Sequence, residues 1–476
     1  MMKNYKFIAP LVGMIAVSFA FVGFQCSSAE LTSAKMYIQK NEWDKAESEL
    51  EKDVAGDSLD AEGWYYLGIV RGQKGNYPGL VDAFDHTHKI SPAHDKDIAQ
   101  VKQHFWVIAY NDGSKNLERG RDTASYYDSA ATSFRGAVIL EPDSLIGYRG
   151  LAYTYLNKGD ADSAIAPLMV LWDKAKDQDA AKFLGEIYFD KGRKLRQAFQ
   201  DQNGDKIRAA EGLETIKQGI SKFDATNAIG QPDEKTTKEP PKVKAKRGKK
   251  APEAPVQDIW VYKKYGVTLV FEDDTLHSKQ VDFVYNPQID SSKYDSAIVQ
   301  FKNALNILKP ASRMYPDDSN IMTILTNCYV DADMTQEAAE AFKVGAEKNP
   351  GNKDFQYNYG VILLKSNDYA GAISQFEKAL KIDPEYLNAL YNIGASYVNW
   401  GVQIQANAPQ NSDPDSLRKA VSAKFKLALP YLEKYSSYKS DEPNIWELLG
   451  KVYAFLNEPQ KAQDAIQKAD ALRQTH

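Results

Sequence analysis

Asp201, Asn203 and Asp205 stand at alternate positions, and Glu211 follows six residues later. A row of side-chain oxygens closed by a carboxylate is the chemistry of a calcium-binding loop. Helical sequence flanks the run Asp201-Gln202-Asn203-Gly204-Asp205-Lys206-Ile207 on both sides, as such a loop requires. The glycine that should follow Asp205 and allow the sharp turn is missing, however, and Glu211 is one residue out of place for closing on the ion. The expectation is a polar connection between two helices, with a degenerate calcium site as the alternative. No cofactor is expected.

The other reactive side chains form no constellation. The histidines are His86, His88, His94, His104, His277 and His476. His86 and His88 are two apart, so a helix would point them to different faces. No cysteine or carboxylate joins the group at zinc spacing, and polar surface histidines account for it. The chain has no glycine-rich phosphate loop, no H-E-x-x-H and no C-x-x-C. With no nucleophile and base, no carboxylate pair in a pocket pattern and no metal cage, the expectation is a protein that is not an enzyme. Cys328 is expected to be a buried thiol behaving as a small apolar residue. Cys26 is the one other cysteine, so disulfides do not build this fold.

The 476 residues are 43% apolar, enough for a large folded body or several domains, and the net charge is −5. With a pI near 5.8, no global basic field draws nucleic acid, and a mean hydropathy of −0.51 excludes a multi-span membrane protein. Between Lys235 and Lys250 there are eight Lys or Arg residues among Pro, Thr and Ala, with only Glu239 acidic. Such a run could bind anions: nucleic acid, lipopolysaccharide or membrane headgroups. By composition it is a solvated linker kept extended by self-repulsion.

Lys3 and Lys6 precede an uncharged, mostly apolar run from Phe7 to Phe24, which is the pattern of an export signal over residues 1–25. Cys26 follows at once and resembles the acylated cysteine of bacterial lipoproteins. Gln25 stands where that motif wants a small residue, and Ser27-x-Ala29 offers a cleavage site for plain secretion instead. The expected location is the periplasm or the outer membrane, anchored through Cys26, with simple secretion to the periplasm as the alternative.

The elements that must carry any binding side chain come from a repeated pattern. Trp64-Tyr65-Tyr66-Leu67-Gly68 is closed by Phe84 and Pro92, and Trp446-Glu447-Leu448-Leu449-Gly450 leads to Tyr453 and Ala462. The spacing W-x2-L-G-x2-Y…A-x3-F…P resembles the tetratricopeptide repeat, a helix–turn–helix unit of 34 residues. Registers starting at 27, 61, 145, 319, 353 and 443 place small residues at positions 8 and 20 and large ones at 4, 7, 11, 17 and 24. Two hairpins depart from the pattern, through lengthened helices near 98–118 and 387–408. The resemblance implies an all-α superhelical solenoid of nine or ten repeats, with an N-terminal array over 27–226 and a C-terminal array over 291–476. Over 227–290 the basic linker precedes β-branched and aromatic runs at 260–262, 267–271 and 281–285, which suggest a small inserted β-hairpin. Tyr294, Ala297, Phe301 and Ala304 then resume helix-B spacing. They supply the second helix of the interrupted repeat, unless 206–223 does so.

The resemblance also implies where a partner would lie. Groove-facing positions 2, 5, 9, 12 and 13 of the family correspond here to Glu62, Tyr65, Arg149, Tyr153, Asn157, Tyr357, Lys365, Tyr391 and Asn399. Tyrosine offers rigid contact area and a hydroxyl, and asparagine pairs with peptide backbone. An extended peptide or a helix of a protein partner suits such a wall. The Lys–Asn–Arg clamp that some members use for chaperone tails is not found. The function implied is a lipid-anchored scaffold for protein–protein interaction in the bacterial envelope. The alternative is an accessory lipoprotein subunit of an outer-membrane assembly or secretion complex.

Overall fold

The computed structural model describes residues 28–239, 255–409 and 412–474. The export segment, Cys26 and most of the basic run lie outside the described residues. The chain forms two compact units, which hold residues 28–187 with 307–325 and residues 188–306 with 326–474.

Nine helical hairpins run through the described residues. Four belong to the first stretch: α1 (Ala29–Gln39) with α2 (Trp43–Gly56), α3 (Ala61–Gln73) with α4 (Tyr77–Ile90), α5 (Asp95–Arg119) with α6 (Tyr126–Leu140), and α7 (Leu145–Lys158) with α8 (Ala161–Ala175). Next come α9 (Gln178–Thr215), the short α10 (Lys222–Ile229) and α11 (Ser292–Met314). The last eight helices are α12 (Ser319–Asp331), α13 (Thr335–Lys348), α14 (Lys353–Lys365), α15 (Tyr369–Ile382), α16 (Leu387–Ala406), α17 (Pro414–Tyr438), α18 (Pro443–Phe455) and α19 (Pro459–Gln474).

The backbone repeats with the register read from the sequence. Asn41, Gly75, Gly159, Asp333, Asn367 and Asn457 all have positive φ, from 55° upward, and each is position 15 of its repeat. A left-handed residue there closes the tight turn from the first helix into the second. Glycine, asparagine and aspartate are the residues that enter it at least cost. Trp64 and Trp446, both at position 4, donate through Nε1 to the carbonyls of Ser58 and Ser440 at 3.1 and 3.0 Å. The same residue thus holds the same incoming loop in repeats far apart in sequence.

Helix crossings are set by position 8 against position 24. Phe84 and Phe376 are 2% and 0% exposed, and a Cβ at Gly68 or Gly360 would come within 2.4 or 2.6 Å of those rings. A side chain at either glycine would force the two helices apart. Ile466 holds the same place in the last hairpin but is 45% exposed, because among the described residues no further hairpin covers it.

The interrupted repeat closes over a long distance. In the first unit the Gly185 backbone lies against Leu308, and in the second Gly192 lies against Phe301, whose ring is also 5.9 Å from that of Phe189. Helix α11 therefore completes the hairpin begun by α9. The alternative partner, 206–223, is largely the continuation of α9 itself.

The insertion is more than a hairpin. Strands β1 (Glu234–Lys238), β2 (Gln257–Tyr262), β3 (Val267–Glu272) and β4 (Thr275–Val281) form one antiparallel sheet in the order β1-β2-β3-β4. Trp260, Tyr262, Val267, Leu269, Phe271 and Leu276 pack against Ile216, Ala225 and Ile229. β1 leaves no signal in the sequence, because its residues are exposed on both faces and carry no apolar alternation. The third strand was expected at 281–285 but spans 275–281. Asp273 at φ 57° makes a tight turn with Asp274, so pairing with β3 resumes at once. Lys279 of β4 donates to the carbonyls of Leu213 (2.8 Å) and Ile216 (3.4 Å), which would otherwise be orphaned at the end of α9.

One buried acid marks the first hairpins. Asp53 is 4% exposed and accepts a hydrogen bond from Ser28 Oγ, while its Oδ2 has no partner. Burial pushes its carboxyl above the usual 3.8, against the opposing effect of Ser28, and the Asp60 charge adds to the rise. A raised acid favours the folded state below its unfolded value, and that stability is lost as pH rises through the folded value. Asp53→Asn is expected to raise the urea midpoint at neutral pH, with the difference from wild type shrinking as pH falls towards 3.8. A difference independent of pH would remove the buried carboxylate as its cause.

Candidate protein-binding surface

Tyr65 lies half-buried on α3, its ring stacked on His94 at 4.5 Å and beside Phe84 at 5.9 Å. Burial, with the nearby Asp97 charge, pushes its phenol up to about 12, so it is a neutral donor at any physiological pH. Glu62, also on α3, is paired with Lys35 at 2.7 Å.

On α7, Arg149 Nη2 donates to Asp177 at 2.5 Å and Tyr153 Oη donates to Asp179 at 3.3 Å. Lys182 reaches the same Asp179 at 3.1 Å, and Phe183 meets the Tyr153 ring edge-on at 6.0 Å. Asp177, which caps α9, and Asp179 in its first turn thus supply the carboxylates that orient the α7 side chains. Asn157 is exposed and donates to its own helix at Tyr153 O (2.7 Å).

In the second unit, Tyr357 of α14 lies between Phe376 (5.5 Å) and Tyr386 (5.1 Å), and Asn392 Nδ2 donates to its hydroxyl oxygen at 2.9 Å. Burial raises the Tyr357 phenol despite that hydrogen bond. Tyr386 in turn donates to Asp354 at 3.0 Å. Tyr391 of α16 packs on Tyr435 at 5.2 Å, and Asn399 is exposed farther along the same helix. Lys365 is exposed at the end of α14.

The family positions therefore divide by environment. Asn157, Asn399 and Lys365 present exposed polar surface. Arg149 and Tyr153 are held by acids, and the half-buried tyrosines at 65, 357 and 391 pack against neighbouring rings. The repeat pattern does not mark Asp177, Asp179, Tyr386 or Asn392. They come from the start of the next helix or from a position that faces a neighbouring repeat, and a single repeat's pattern does not reveal such a contact.

Asp201, Asn203, Asp205 and Glu211 all lie inside α9, which is helical from 178 to 215. This corrects the expectation of a connection between helices at this point. A helix keeps successive side chains about 100° apart in azimuth, so the oxygens do not converge as they would in a wrapped loop. Asp201 accepts from Gln197, and Asp205 pairs with Arg208. Asn203 is fully buried: its Nδ2 donates to Asp290 O at 3.1 Å, and Asp290 N donates to its Oδ1 at 3.4 Å. Its amide thereby clasps the segment that returns from the insertion. Among the described residues, no three His, Cys, Asp or Glu side chains come together as a metal site. Cys328 is buried in α12, with its thiol pushed up by burial. Among the described residues no helix is long and apolar enough to cross a membrane.

Two segments match known family models: residues 360–401 match a TPR repeat and residues 443–476 a tetratricopeptide repeat. The chain is similar to a BBSome complex member BBS4 homolog of Drosophila melanogaster, 25% identical over 194 residues, or 36% of this chain and 38% of that one. It is also similar to the peroxisomal targeting signal receptor of Eremothecium gossypii, 33% identical over 70 residues, or 15% of this chain and 12% of that one. The receptor of Pichia angusta is 27% identical over 156 residues, or 28% of this chain and 27% of that one. The chain thus spans well under half the length of these relatives. Among solved structures, MamA from Desulfovibrio magneticus RS-1 covers 37% of this chain and 88% of its own at 18% identity, with a TM-score of 0.27. A human IFIT1 dimer with m7Gppp-AAAA covers 86% of this chain and 68% of its own at 10% identity, with a TM-score of 0.33. Likenesses at that level carry no weight for binding.

Proposed function

We propose that this tetratricopeptide repeat protein is a scaffold that holds a segment of a partner protein along the first helices of its hairpins, in the bacterial envelope, anchored through an acylated Cys26. Protein–protein interaction is the general role of such repeats. The observation that carries the binding surface is the ordered row on α14 and α16. Tyr357 and Tyr391 are fixed by Phe376, Tyr386 and Tyr435, and Asn399 stands exposed beyond them. Side chains already immobilised lose little entropy when a partner arrives. Rings of this kind supply most of the binding free energy at protein interfaces.

The anchor rests on the sequence alone: a basic n-region, an apolar run and a cysteine immediately after it. Each acyl CH2 buried in lipid contributes about 0.8 kcal/mol, so several chains on one cysteine would hold the protein at a membrane.

Capture from envelope extracts is expected to fall about tenfold or more for Tyr357→Ala and for Tyr391→Ala, at the level of interface anchors. Circular dichroism would confirm that both variants remain folded. Unchanged recovery with both folded variants would remove the assignment of this face. Labelled palmitate should enter the wild type and not Cys26→Ser. An unlabelled wild type would leave secretion, with cleavage near Ala29.

A further inference from the structure

Helix α17 runs for 25 residues, where α4 and α15, the second helices of regular repeats, run for 14. Its first turns continue past the turn that joins α18 to α19 and leave a step between them. The step is a cavity of about 530 Å³. Arg418, Lys419 and Lys426 line its α17 wall, with Asp415 as the one carboxylate there. Phe455 and Leu456 form a half-buried apolar floor, and Phe455 is braced edge-on against Phe425 at 4.8 Å.

Several cations of the same unit have carboxylate partners, among them Lys353 with Asp383, Lys439 with Glu442, Lys451 with Glu447 and Lys461 with Glu458. Among the described residues, Arg418, Lys419 and Lys426 make no such pair. An anionic group entering the step gains up to three charge-assisted contacts.

We propose that this step is a second binding surface, for an acidic segment of a partner protein that carries one large apolar side chain. The carboxylates lie along Arg418, Lys419 and Lys426, and the apolar side chain sits on Phe455 and Leu456. The surface does not involve Tyr357 or Tyr391, so it stands or falls separately from the binding row on α14 and α16.

The probes are a fluorescein-labelled peptide of glutamates around a single leucine and its all-glutamate counterpart, followed by fluorescence anisotropy on the full chain. The leucine peptide is expected to bind more tightly than the all-glutamate one, and more weakly as salt rises. Arg418→Glu with Lys419→Glu should weaken it about tenfold or more. These positions are exposed, so the fold should survive. Lys343→Glu with Lys348→Glu, exposed on α13, should leave binding unchanged. Equal loss in both double variants would show general attraction to a basic surface and overturn the site. So would binding unaffected by Arg418→Glu with Lys419→Glu. Equal affinity for the two peptides would overturn the apolar floor. Concentration-dependent self-association lost in the Arg418/Lys419 variant, without peptide binding, would put a second copy of this chain in the step and overturn the partner.

Discussion

Replacing Phe301 by alanine should lower the unfolding free energy of the second unit by about 3–5 kcal/mol, the range for removing a large buried aromatic. Phe301 is 0% exposed and sits where α11 meets α9, against the bare backbone of Gly192 and the ring of Phe189. Most hairpins in the chain are joined by a few residues, and the short link alone keeps the two helices near each other. Here residues 216–291 intervene, so loop closure opposes the pairing and side-chain packing must overcome it. Truncation leaves a cavity that Gly192 has no side chain to fill. Urea denaturation followed by circular dichroism measures the loss. Hydrogen exchange should rise most in residues 292–306. Phe223→Ala is the control, since that ring is 72% exposed and surface changes stay within about 0.5 kcal/mol. Equal costs for the two variants would contradict the assignment of α11 as the partner of α9.

Asn203→Asp should be nearly as damaging, at about 3 kcal/mol or more, for an electrostatic reason. The wild-type amide donates to the carbonyl of Asp290 and accepts from its N–H, and no other residue type of that size does both. A carboxylate in the same buried place cannot donate, and it faces the carbonyl oxygen of Asp290. Were the 201–211 segment a calcium loop, the same change would strengthen it, because a charged oxygen replaces a neutral one. Thermal melts with and without calcium separate the two outcomes. A destabilised variant with no rescue by calcium supports the clasp, and a calcium-dependent gain would restore the loop.

Much of the architecture was legible because each repeat writes its own constraints. Small residues at position 8, a large one at 24 and a Gly, Asn or Asp at position 15 are demands of one hairpin on itself, and they recur at Gly68, Phe84 and Gly75 as at Gly360, Phe376 and Asn367. The helical continuity of 201–211 was harder to see. Asp, Asn and Gly are poor helix formers, and what holds them helical is the burial of Asn203 and the capping of α9 by Lys279, contacts made with residues far along the chain. Strand β1 was hidden for a related reason. Glu234–Lys238 has no apolar face, and its pairing with β2 rests on backbone hydrogen bonds.

The wall residues show the same division. Tyr65, Tyr357 and Tyr391 could be placed on their helices from position alone. Whether each points to solvent or to a neighbour depended on Tyr386, Asn392 and Tyr435, which other repeats supply. Sequence by itself determined the hairpins, their register and their turn residues, since those follow from interactions within about 34 residues. Tertiary structure alone decided that α11 pairs with α9, that Asn203 is a clasp, that the insertion is a four-stranded sheet and that the long α17 leaves a charged step. Each of these depends on contacts between segments whose separation in sequence carries no periodic signal.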